Sequence, residues 1–192
     1  EHVAPCRVEG EDDIVKGVCH PTMLAAHPSD AERPHPIRGS LAARSWLCRR
    51  GRRDHNGPMP ASSPFRVVFV CTGNICRSPM AEIVFRWFAE SVGLGDRVVS
   101  TSAGTGDWHV GEPADPRTVD ALERHGYDGR RHRARQFEFA DYERNDLVIA
   151  LDRSHERNLR AWARSENDSD KVVLLRAFDP QPDDSLDVPD PY

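Results

Sequence analysis

Residues 65–71, FRVVFVC, form a short apolar, β-branched run, and the polar loop TGNICRS follows it without a break. A run of that kind suits a strand buried on both faces. The next stretch, SPMAEIVFRWFAESVG (78–93), carries apolar residues at helical spacing, with Met80, Ile83, Val84, Trp87 and Phe88 on one face. Ser78 is placed to cap this helix, Pro79 suits its first turn and Gly93 can end it. A buried strand turning straight into an amphipathic helix is half of a β-α-β unit, so the chain is committed to a parallel sheet unless the later segments break the pattern.

They continue it. RVVSTSA (97–103) reads as a second strand, and ADPRTVDALERHGY (114–127) as a helix with proline near its start and glycine near its end. DLVIALD (146–152) is a third buried strand, RSHERNLRAWARS (153–165) a polar-faced helix and KVVLLRAF (171–178) a fourth strand. The order β-α-β-α-α-β-α-β predicts an α/β fold: three layers, α/β/α, around a four-stranded parallel sheet. Ligands of such folds gather at the carboxyl ends of the strands, where the loop between strand 1 and helix 1 lies.

Residues 1–64 differ. They hold 8 of the 15 prolines, stretches of linker composition (HPSDAERPHPIRGS, GRRDHNGPMPASSP) and an arginine run, RSWLCRRGRR, at 44–53. The run can be read as a nucleic-acid or targeting patch. The favoured reading of 1–64 is a disordered extension or upstream sequence translated from a misplaced start, with Met59 as the sensible start and activity independent of residues 1–58. The folded domain is then 65–192.

Composition excludes several classes. A net charge of −5 does not suggest nucleic-acid affinity, and no apolar stretch reaches the length of a membrane span. The N-terminus is acidic without an apolar segment, so no signal peptide is recognised. Five cysteines, none after Cys76, do not make a disulfide framework, and the Cys71–Cys76 gap does not fit a zinc site. A cytoplasmic protein with no metal and no cofactor is expected; the 24 arginines against two lysines point to a GC-rich genome.

The loop has a chemistry of its own. A loop entering a helix N-terminus presents backbone N–H groups and the positive end of the helix dipole, and both favour an anion. Gly73 and Asn74 tolerate left-handed backbone angles, so a tight cradle can form. Arg77 adds a planar fork for two phosphate oxygens. A thiol at Cys71, facing a helix N-terminus and an arginine, ionises more readily, and its thiolate can attack phosphorus. A Walker A loop would need a lysine and a dinucleotide fingerprint three glycines, and neither is present. A structural pair of buried cysteines leaves Arg77 unexplained.

VCTGNICRSPMAE (70–82) resembles the signature of the low-molecular-weight protein tyrosine phosphatases, and STSAGTGDW, HRARQF and DPY follow in the family's order. The actinobacterial secreted members look most similar. The resemblance spans residues 65–192 and implies hydrolysis of phosphotyrosine through a phosphocysteine intermediate. It implies Cys71 as nucleophile, Arg77 as phosphate-binding arginine and the backbone of Thr72, Gly73, Asn74, Ile75, Cys76 and Arg77 as donors. It also implies Asn74 and Ser78 as residues that hold the loop and hydrogen-bond the thiolate. Cys76 would trap Cys71 as a reversible disulfide under oxidation.

The leaving phenolate needs a proton. On composition Asp179, Asp183, Asp184, Asp187 and Asp190 are equivalent; the resemblance singles out Asp190, in Asp-Pro-Tyr, as the acid. It also implies Trp108 and Tyr192 as aromatic walls around the phosphotyrosine ring, and Ser102 and His132 as supports of Asn74, with Glu82 holding His132 as an ion pair. By itself Trp108 could be a core aromatic, His132 a surface histidine and Asp152 only a helix cap. Phosphotyrosine proteins or small aryl phosphates are the expected substrates of a monomer, with no nucleic-acid or membrane partner and export without a signal peptide left open. The alternatives are an arsenate reductase of the same fold, which would need cysteines downstream of Cys76, a protein-arginine phosphatase, which would carry threonine where Ile75 stands, or a catalytically dead phosphopeptide-binding module. The family's closing helix after Asp-Pro-Tyr has no counterpart in 65–192, which implies a less stable sheet face.

Overall fold

The structure, a computed structural model, describes residues 63–180 and 185–191. The expectations for residues 1–62 and for Asp183, Asp184 and Tyr192 lie outside the described residues. Within them the chain runs β1 (Phe65–Cys71), α1 (Arg77–Ser91), β2 (Val98–Gly104), α2 (Pro116–Arg124), α3 (Phe139–Arg144), β3 (Leu147–Ala150), α4 (Arg153–Trp162), α5 (Glu166–Asp170) and β4 (Val172–Leu174). The strands make one parallel sheet in the order β2-β1-β3-β4.

Side-chain parity along β1 builds the three layers, because successive residues of a strand point to opposite faces. Val67, Phe69 and Cys71 enter a core with Met80, Ile83 and Val84 of α1 and Ala121 and Leu122 of α2. Val68 and Val70 enter a second core with Phe137, Tyr142 of α3, Leu159 of α4 and Val172 of β4. The strand is therefore apolar at nearly every position, as its sequence demands.

Several local expectations are corrected. Ser78 does not cap α1: the helix starts at Arg77, Cys76 takes the cap position without a side-chain hydrogen bond, and the Ser78 hydroxyl turns to the Cys71 sulfur. Trp87 and Phe88 are only partly buried, at the outer margin of the apolar face. Gly93 does end the helix turn, with φ 75°. The fourth strand is three residues long, and Leu175–Phe178 leaves the sheet as a 3-10 turn. The short helices α3 and α5 have too few residues to show a period.

The strand order fixes where a site can be. β1 is flanked by β2 on one side and β3 on the other. The chain leaves β1 toward one edge and returns past it to the other, so a crevice opens between the carboxyl ends of β1 and β3. Cys71 is the last residue of β1, and Asp152 caps the helix that follows β3.

Candidate active site

Asn74 organises the loop. Its φ of 56° is the only left-handed backbone angle at a non-glycine residue among the described residues, and asparagine is one of the few side chains that accept it. Its amide oxygen takes the N–H of Arg135 at 2.9 Å. That fixes the amide orientation, so Nδ2 donates to both Ser78 Oγ and Ser102 Oγ, each at 2.9 Å. His132 Nε2 donates to the Asn74 carbonyl at 2.7 Å.

Proton bookkeeping gives the network a direction. A carboxylate only accepts, so Ser102 donates to Glu82 Oε2, 2.6 Å away. Ser78 already accepts from Asn74, so its own proton can go to the Ala103 carbonyl at 3.3 Å or to Cys71 Sγ at 3.0 Å. With Cys71 as a thiol, the sulfur donates to Ser78 and Ser78 donates to Ala103. With Cys71 as a thiolate, the Ser78 hydroxyl rotates onto the sulfur. Both protonation states of the buried sulfur are thereby served by one rotor.

Glu82 was expected to pair with His132. Instead its carboxylate is taken by Ser102 and by Arg86 Nη1 at 3.0 Å, and it acts on His132 only through space. Burial lowers the His132 pKa below the ordinary histidine value; the hydrogen bond to Asn74 opposes this without cancelling it.

Arg77 is 4% exposed and lies between two carboxylates. Its Nη1 meets Asp152 Oδ2 at 2.8 Å and the Val188 carbonyl at 3.2 Å, and its Nη2 meets Asp190 Oδ2 at 2.7 Å. Asp152 also caps α4, with Oδ1 accepting from the backbone N–H of Ser154 and His155. Burial would raise its carboxyl, but the hydrogen bonds from His155 and Ser154 outweigh this and hold it well below the usual carboxylate range. Of the described acidic residues in the C-terminal segment, Asp190 is the one on Arg77. Asp187 binds the N–H of Arg153 at 2.8 Å, and Asp179 lies 3.8 Å from Arg176.

The loop is braced by its neighbour. Thr105 N donates to Cys71 O at 2.8 Å and Gly106 N to Thr72 O at 2.9 Å. The backbone N–H groups of Thr72, Gly73, Asn74 and Ile75 meet no acceptor among the described residues, which leaves them for an anion. Trp108 is 63% exposed and not a core aromatic. Its ring lies over Gly106, where a Cβ would come within 2.1 Å of it. His109 lies over Gly73 in the same way, at 2.8 Å from a Cβ placed there. Ile75 is half-buried, and Cys71 and Cys76 are both buried, with no disulfide between them.

Sequence reasoning missed three partners of this site: Asp152 as a clamp on Arg77, the Val188 carbonyl beside it, and His155, whose Nε2 lies 2.8 Å from Thr72 Oγ1. The position of Asp152 just after a buried strand was a usable signal. That this strand lies next to β1 was not visible.

The sequence pattern described as low molecular weight phosphotyrosine protein phosphatase matches residues 66–192. A low molecular weight protein-tyrosine-phosphatase of Streptomyces coelicolor is 59% identical over 129 residues, covering 67% of this chain and 78% of that protein. Low molecular weight protein-tyrosine phosphatase A of Mycobacterium tuberculosis is 50% identical over 132 residues, 68% of this chain and 78% of that protein. Among solved structures, YfkJ from Bacillus subtilis superposes with a TM-score of 0.65 at 40% identity, covering 69% of this chain and 82% of that one.

Proposed function

The chain belongs to the low molecular weight phosphotyrosine protein phosphatase family, and from that premise we propose that it hydrolyses phosphotyrosine through a phosphocysteine intermediate. The observation that carries this is one loop at the carboxyl end of β1 that sets the Cys71 sulfur against Ser78 at its start and end, holds Arg77 on Asp190, and leaves the N–H groups of Thr72, Gly73, Asn74 and Ile75 for an anion.

The substrate phosphate enters the cradle and replaces Asp190 on Arg77 Nη2. Arg77 keeps its hold on Asp152, so the guanidinium is already oriented when phosphate arrives. The Cys71 thiolate attacks phosphorus, an S–P bond forms and the bond from phosphorus to the tyrosine oxygen breaks. Asp190, in its protonated form, gives its proton to the departing phenolate. A water molecule then attacks the phosphocysteine, Asp190 takes a proton from it, and the S–P bond breaks to release inorganic phosphate and the thiolate. Ser78 stabilises the sulfur anion at the start and end of the cycle. Trp108 stands at the rim as a wall for the aromatic ring, and Tyr192 is assigned the opposite wall from the family register. Cys76 is assigned the role of oxidative trap, which suits a reducing cytoplasmic location. Residues 77–192 hold no cysteine for the relay that an arsenate reductase needs, which favours the phosphatase reading.

Steady-state turnover of p-nitrophenyl phosphate tests this reading. The wild type releases p-nitrophenol, Cys71→Ser releases none above background, and Asp190→Asn lowers kcat by about 10²-fold or more. Wild-type turnover in Cys71→Ser contradicts the reading.

A further inference from the structure

His155 is the buried titratable group that the mechanism above does not use. It is 1% exposed, on the first turn of α4, and its ring touches two parts of the site at once. Nε2 meets Thr72 Oγ1 at 2.8 Å, on the residue that follows the nucleophile. Nδ1 lies 2.9 Å from Asp152 Oδ1, an oxygen already shared by the N–H groups of Ser154 and His155. Nδ1 is buried without hydrogen-bond geometry to any acceptor. A lone pair pressed at that distance against a carboxylate oxygen would be repelled, so Nδ1 carries the N–H and its positive end lies against the carboxylate. In the neutral ring Nε2 then accepts, and the Thr72 hydroxyl donates.

A purely structural role explains this poorly. A leucine would fill an apolar site under α4 without leaving a buried nitrogen unpaired, which costs stability. The geometry points instead to a positioning role: we propose that His155 joins the two ends of the phosphate cradle, setting Thr72 beside the nucleophile with one nitrogen and steadying Asp152, and through it Arg77, with the other. The proposal deepens the phosphatase reading and rests on it. Thr72 is then held on both sides, its carbonyl by Gly106 N and its hydroxyl by His155. Arg77 is held by a carboxylate whose second oxygen is fixed in turn.

The two arms separate by substitution in the full chain. Asparagine places an amide near the position of Nδ1 and keeps the Asp152 arm; glutamine reaches the position of Nε2 and keeps the Thr72 arm. The readouts are kcat on p-nitrophenyl phosphate and the dissociation constant of inorganic phosphate by calorimetry. His155→Asn lowers kcat about tenfold and leaves phosphate affinity within about twofold, since one hydrogen bond beside the nucleophile is lost. His155→Gln weakens phosphate about tenfold through the slackened Arg77 and lowers kcat less. Thr72→Val, which leaves the buried histidine in place, reproduces the kcat loss of His155→Asn, and Thr72→Ser restores it. If all variants change kcat and phosphate affinity in parallel, or Thr72→Val is as active as the wild type, the proposal is overturned. A wild type that binds phosphate but turns nothing over would sink the phosphatase reading alone, since the affinity pattern still decides this one.

Discussion

Arg77 meets both of its carboxylates before substrate arrives, and they have different fates. In the proposed mechanism Asp152 stays and phosphate displaces Asp190. Removing Asp152 leaves a nearly buried guanidinium with one carboxylate and the Val188 carbonyl, and breaking one side of a buried pair typically costs about 3–5 kcal/mol. Asp152→Ala is therefore expected to lower the melting temperature and to raise KM for aryl phosphates about tenfold or more; an unchanged KM in a folded protein contradicts the clamp. His132 sets a pH dependence. Its folded pKa lies below the unfolded value of about 6.5, so the unfolded chain binds more protons in that range. The stability it supports is present above pH ~6.5 and is lost as pH falls through that value toward the folded pKa. Chemical denaturation between about pH 5 and 8 should show that loss, and His132→Gln should flatten it; an equal slope in both proteins would contradict the assignment.

At the scale of elements, the proposed acid, Asp190, follows a segment pinned at three points just before it. Asp187 caps the N–H of Arg153, its carbonyl takes Arg176 Nη1 at 3.4 Å, and Val188 N donates to Leu151 O at 2.8 Å. Asp187→Ala should release the Asp190 segment without touching the cradle. The expected result is a kcat loss of about tenfold on phenyl phosphate, whose leaving group needs the proton, and a smaller loss on p-nitrophenyl phosphate. Equal losses on both would show that Asp187 acts elsewhere. The elements themselves were legible where a period could be counted. β1, α1 and α4 were readable because each is long or strongly patterned. β4 and the 3-10 turn read as one strand because an apolar run carries no sign of where pairing stops. The position of Ser78 in sequence fits a helix cap, but its hydroxyl lies on the Cys71 sulfur, as the family resemblance and not the local pattern implies.

At the scale of the molecule, parallel order was readable from alternation, but strand adjacency was not. The crevice exists because β1 lies between β2 and β3, which brings Asp152, 75 residues away in sequence, onto Arg77. The loop chemistry was therefore half legible: nucleophile, arginine and anion cradle from spacing, the acid from the family register, the second carboxylate and His155 from the fold alone. The central claim is that the sulfur at the end of β1 becomes covalently phosphorylated. Rapid acid quench during turnover of an aryl phosphate, followed by peptide mass analysis, tests it most directly. A phosphoryl adduct on the peptide containing Cys71, absent in Cys71→Ser and longer-lived in Asp190→Asn, is the predicted result; an adduct on another residue, or turnover at the wild-type rate with no adduct on Cys71, contradicts the account.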